Sequence, residues 1–140
     1  MTSPNLENLV KTGYLKREEV DAKEFEGLVR SGRVRLTDAH NSLLSIESRF
    51  DLAYNAAHAL ALAALRWHGY RSDKRYIIFQ CIPHTLGLGP EVWRVLILCH
   101  DRRNLAEYEG DFEIDEQLVA DLQLAADKLL RKIETLGPLK

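Results

Sequence analysis

The chain has 140 residues, of which 46% are hydrophobic and 29% charged, the size and balance of one ordinary globular domain rather than of a disordered or membrane-spanning chain. Its formal net charge of -2 excludes a basic field over the whole surface, so any site for an anion must be local. Cys81 and Cys99 lie in apolar segments without C-x-x-C spacing, which argues against a zinc site or a disulfide framework and for small core residues in a reducing compartment.

The opening residues, "MTSPNLENLV", carry neither a basic region nor a long apolar stretch, so no secretory leader is expected and the expected location is cytoplasmic. Ser3 as N-cap, Pro4 at the first helical position and Gly13 beyond the end frame a short amphipathic helix containing Leu6, Leu9 and Val10. From about Asp21 to Asn41, Phe25, Leu28, Val29, Leu36 and Ala39 recur at helical spacing, with Gly32 weakening the middle. Ser48 followed by Asp51 reads as a capping box opening a long helix that Gly69 stops. Asp73 is the expected cap of a further helix through "KRYIIFQCIPHTLG", bent or ended near Pro83. Pro90 starts a fresh helix through "PEVWRVLILCHDRRNLAEYEG", and Leu118, Leu122, Ala125, Leu129, Ile133 and Leu136 form one stripe along a last helix closed by Gly137. The runs "RYIIF" and "RVLIL" are short enough to be strands, but their flanks keep helical spacing and no hairpin turn accompanies them. The expected fold is all-α: a single domain over residues 1–140, an up-and-down antiparallel bundle of four long core helices plus a short N-terminal helix.

Two helices carry polar residues in unexpected places. The long helix ending at Gly69 is apolar nearly all round, and Asp51, Asn55, His58 and Arg66 fall on one narrow face with Leu62. That face reads either as the wet edge of a mostly buried helix or as the polar lining of a cleft. In the helix after Pro90, Val92, Trp93, Val95, Leu96 and Cys99 centre on a direction that Arg103 shares. An arginine on a core-facing stripe must meet a carboxylate, a carbonyl, water or an anionic ligand, because its charge is otherwise desolvated. One reading is a structural ion pair; the other, favoured by Asn104 next to it, is a site for a phosphate or a nucleic-acid backbone. His58 and His68 have no carboxylate neighbour at ligand spacing and His84 follows Pro83 at a helix end, so neither a metal nor a cofactor is expected.

The segments "RFDLAYNAAHALALAALRWHGYR", "QCIPHTLGLG" and "DRRNLAEYEG" together resemble a prokaryotic branch of the HEPN superfamily, helical domains often encoded beside minimal nucleotidyltransferases. Many members are metal-independent ribonucleases whose site forms at a homodimer interface, from an arginine, a polar residue, usually Asn, and a histidine after a spacing of four to six residues from the arginine. The resemblance implies that Arg103 is the motif arginine and Asn104 the polar residue, while Tyr108 stands where the histidine belongs; no histidine follows Arg103. Tyrosine, with an ordinary pKa near 10, is a poor base at neutral pH, so the ribonuclease motif is degenerate unless Tyr108, or His100 just upstream, supplies the proton transfer. The expected function is therefore a homodimeric module that binds a nucleotide, RNA or a nucleotidyltransferase partner, with Arg102, Arg103 and Asn104 as its nucleic-acid-binding residues. The alternatives are a metal-independent endoribonuclease toxin of a toxin–antitoxin pair and a protein-interaction bundle without ligand.

Overall fold

The computed structural model describes residues 4–109 and 114–137, the side chains of residues 4 and 107–109 excepted. Among these, the chain forms α1 (Pro4–Lys11), β1 (Lys16–Arg17), α2 (Ala22–Ala39), α3 (Ile46–Trp67), β2 (Tyr70–Arg71), α4 (Arg75–Gln80), α5 (Ile82–Thr85), α6 (Pro90–Glu109) and α7 (Glu116–Glu134). The four long helices pack antiparallel, α2 on α3, α3 on α7 and α6 on α7, giving the expected all-α bundle with a short helix in front. Both apolar runs that could have been strands are helical, "RYIIF" in α4 and "RVLIL" in α6. β1 and β2 add a two-residue antiparallel ladder, Lys16 opposite Arg71 and Arg17 opposite Tyr70, that ties the segment after α1 to the end of α3.

α3 is the centre of the bundle. Phe50, Tyr54, Leu60, Leu65 and the alanines at 53, 56, 57, 61, 63 and 64 are all buried, so neighbours cover it on several sides. Small side chains there let other helices approach closely, and Gly32 of α2 exploits this. A Cβ at Gly32 would stand 2.5 Å from Cγ of Leu60, so the glycine that weakens α2 by propensity is required by packing against α3. Asp21 caps α2, its carboxylate accepting from the Lys23 and Glu24 amides at 2.9 and 3.3 Å. After α1, Gly13 takes a positive φ of 86°. Its N–H donates to Val10 O and that of Tyr14 to Leu9 O, the paired bonds of a Schellman stop.

Two expected caps move. α3 begins at Ile46 under Ser45, whose hydroxyl accepts from the Ser48 amide at 3.1 Å, so the box expected from Ser48 and Asp51 does not open it. The extra turn lets Ile46 pack against the core, which outweighs the local capping signal. α4 begins after Lys74 rather than at a cap from Asp73, and the buried Ser72 hydroxyl takes the Lys74 amide instead. The helical path then breaks at Cys81, and Pro83, which has no N–H to give, sits in the first turn of α5, where none is needed.

Arg66 is the larger correction. Grouped by spacing with Asp51, Asn55 and His58 on a polar edge, it is in fact only 1% exposed. Its Nε donates to Glu24 at 2.6 Å, and its terminal nitrogens donate to the backbone carbonyls of Glu18 (3.0 Å), Tyr70 (3.1 Å) and Glu19 (2.5 Å). Arg71 bonds both Glu18 and Glu24 from the far side. The 18–24 segment and β2 thus fold over this end of α3 and supply every acceptor the guanidinium needs. Helical spacing cannot foresee this, because all the partners come from other elements.

Candidate anion-binding site

α6 runs unbroken from Pro90 to Glu109. Val92, Leu96 and Cys99 are buried on its inner face, and the helical period carries that face on to His100, Arg103 and Asn104. Arg103 is half-buried, with its guanidinium carbon 5.2 Å from the ring centroid of the buried Tyr54 on α3. The arginine therefore lies on the inward face, as its spacing implies. Tyr54 organises what surrounds it. Its hydroxyl is 2.9 Å from His100 Nδ1, and the Asn104 amide group lies 3.2 Å from His100 Nε2. A neutral imidazole donates at one nitrogen and accepts at the other, so the imidazole is held from both ends in one orientation.

A second arginine arrives from α4. The Arg75 guanidinium lies 5.3 Å from the Tyr54 centroid and donates to the Asn55 side-chain oxygen at 3.2 Å. Among the described residues no carboxylate forms an ion pair with Arg75. His58, one turn after Tyr54, packs edge-on against Phe79 at 6.4 Å. Asp51, Asn55 and His58 line an open hollow between α2 and α3 with Ser31 and Arg35. The stripe on α3 is thus the lining of a hollow up to His58, and beyond it the buried Arg66 within its ion cluster.

The electrostatics are set by burial and by the two guanidiniums. Burial, reinforced by Arg75 and Arg103, holds His58 down from 6.5 to about 4. His100 is lowered too, by burial first, with Asp101 opposing and both arginines adding. Tyr54 is raised by burial against the pull of Arg75 and Arg103, so at neutral pH it serves as a hydrogen-bonding group and not as a base. Two neutral imidazoles therefore sit beside two guanidiniums that cannot lose their charge. Such an arrangement favours an incoming anion, which strengthens in a partly dry setting and lets the histidines take up protons.

The expected residues separate. Arg103, Asn104 and His100 come together with Tyr54. Arg102 does not join them: it lines a different hollow with Leu98, Ile114, Asp115, Leu118 and Asp121, between α6 and α7. One position along a helix turns the side chain by about 100°, and that rotation sends Arg102 towards the acidic residues of α7. The backbone of Tyr108 belongs to α6, but its side chain, and with it the expected role, lies outside the described residues. Tyr54 and Arg75 were not singled out as site residues, and His58 was read only as part of the polar face of the long helix. Nothing local announces Tyr54 within its apolar helix, nor Arg75, which reaches the site by the packing of α4 on α3 and α6.

Among the described residues no three His, Cys, Asp or Glu side chains are grouped so as to hold a metal ion. Cys81 and Cys99 are buried, and burial pushes both thiols up to about 12, so they act as packing groups rather than nucleophiles. No described helix is long and apolar enough to cross a membrane. Comparison with protein-family models, curated proteins and solved structures finds no match to this chain.

Proposed function

We propose that this chain is a HEPN-like helical module of the cytoplasm that works as a homodimer and binds a nucleotide, RNA or a nucleotidyltransferase partner, RNA or a nucleotide being the ligand the site suits best. The observation that carries the reading is the meeting of Arg103 and Arg75 on one buried tyrosine, beside an Asn104–His100 pair. Arginine offers a planar fork of donors suited to phosphate oxygens, and an amide beside it adds a further donor. The chain's net charge of -2 fits a local site better than a non-specific nucleic-acid surface. In the homodimer, a two-fold axis through this face brings the two copies of Arg103 together around a shared anion. Binding of a short RNA should weaken at least tenfold in Arg103→Ala, and the salt dependence should become shallower by about one phosphate contact. Equal affinities and equal salt slopes would exclude this site as the binding surface.

A second reading, a metal-independent endoribonuclease toxin, is favoured by one specific feature: His100 is neutral, oriented by Tyr54 and Asn104, and adjacent to Arg103. In that reading His100, rather than Tyr108, moves the proton. Cleavage of RNA in the presence of a chelator, lost in His100→Ala and retained in Tyr108→Phe, would support it; RNA left intact by the purified protein would remove it.

A further inference from the structure

α4 brings more than Arg75 to this site. The next residue, Tyr76, is 43% exposed, yet its ring centroid is 6.2 Å from that of His100. Adjacent residues on a helix point in different directions, but here both meet the same pair: Arg75 lies over Tyr54 and Tyr76 lies beside His100, and Tyr54 and His100 are joined by their 2.9 Å hydrogen bond. A guanidinium and a solvent-facing aromatic ring thus flank one short stretch of surface. The inner wall of that stretch is aromatic as well, since Phe79 packs edge-on against both Tyr54 and His100 at 5.9 and 6.4 Å. A free phosphate ion would need the guanidiniums alone. The exposed ring beside them suits a ligand with a flat apolar face attached to its phosphate.

We infer that Arg75 and Tyr76 form a subsite for one nucleotide of a single strand, with Arg75 on the phosphate and Tyr76 stacked on the base. This rests on the reading of the site as one for RNA or nucleotides. A base in a duplex is already stacked on both sides, so only an unpaired base has a face to offer, and every base offers one, so the subsite selects single-stranded over double-stranded ligand without selecting sequence. The Tyr54 ring beneath it and its hydrogen bond to Asn55 hold the Arg75 side chain in place, so less freedom is lost when the strand binds.

The test compares a single-stranded oligoadenylate of about eight nucleotides with an abasic oligomer of the same length, a choice within the usual reach of such sites. Both are titrated into the full chain and into Tyr76→Ala, Tyr76→Phe and Arg75→Ala. Wild-type protein should prefer the base-bearing strand by about 5- to 100-fold. That preference should collapse in Tyr76→Ala, survive in Tyr76→Phe, and be accompanied in Arg75→Ala by weaker binding of both oligomers. Because Tyr76 is exposed, a melting temperature close to wild type will certify that Tyr76→Ala is folded. Oligoadenylate binding that is unchanged in Tyr76→Ala would overturn the subsite while leaving the wider reading in place. A wild-type chain that binds neither oligomer would overturn both.

Discussion

Replacing His58 by glutamine isolates a pH dependence that the arginine cluster creates. In the unfolded chain this imidazole titrates near 6.5, whereas in the folded protein burial, together with Arg75 from α4 and Arg103 from α6, holds it to about 4. Above pH 6.5 neither state is protonated and His58 has no effect on the balance. As the pH falls below 6.5 the unfolded state takes up a proton that the folded state refuses until about pH 4, so stability is lost across that window and rises again with pH. At pH 5 the two titration curves differ by about 2 kcal/mol. Other groups also cost stability in acid: the carboxyls of Glu7, Glu24 and Glu116, bonded to Arg17, Arg66 and Arg49 respectively, are all held low. They are present in both proteins and cancel in the comparison. Urea unfolding of wild type and His58→Gln at pH 7.5 and pH 5 gives the four free energies. Wild type should lose about 2 kcal/mol more than the variant between the two conditions, and the imidazole should titrate well below 6.5 by NMR. Equal losses, or a His58 midpoint at 6.5 or above, would refute both the burial and the proximity of the two guanidiniums.

The same charges make a second prediction at the site itself. An anion seated between Arg75 and Arg103 should raise the His58 midpoint, so binding of inorganic pyrophosphate should tighten as pH falls from 7 to 5 and take up protons, measured by calorimetry in buffers of different ionisation enthalpy; binding without proton uptake would contradict it. In α2, Gly27 and Gly32 should respond with opposite signs to alanine. At Gly27 a Cβ meets nothing within 4 Å and the helix gains up to about 1 kcal/mol, whereas at Gly32 the methyl overlaps Leu60, which is fully buried, and overpacking costs about 1–3 kcal/mol; two changes of the same sign in thermal melts would deny the close approach of α2 and α3. Arg66→Met should lower the unfolding free energy by about 3–5 kcal/mol, because the carbonyls of Glu18, Glu19 and Tyr70 lose their donor, and a change below about 1 kcal/mol would mean that the cluster is solvated.

By itself the sequence determined the helical architecture. Periodic apolar residues, the prolines at 4 and 90 and the glycines at 13 and 69 act within a few residues of where they stand, so they mark helices whatever the rest of the chain does. It also determined that Arg103 faces inward, because that follows from its period within one continuous helix. Cap positions were less secure, since Ser45 and Ser48 offer similar local chemistry and the burial of Ile46 chose between them. Only the tertiary structure decided what Arg66 and Arg103 touch. Both are arginines on largely apolar helices, but one is enclosed by the carboxylates and carbonyls of the 18–24 segment and β2, and the other lies over a tyrosine that it shares with Arg75. A side chain's desolvation is fixed by the elements that pack on it, and a residue 28 positions away in the chain, as Arg75 is from Arg103, leaves no mark on local spacing.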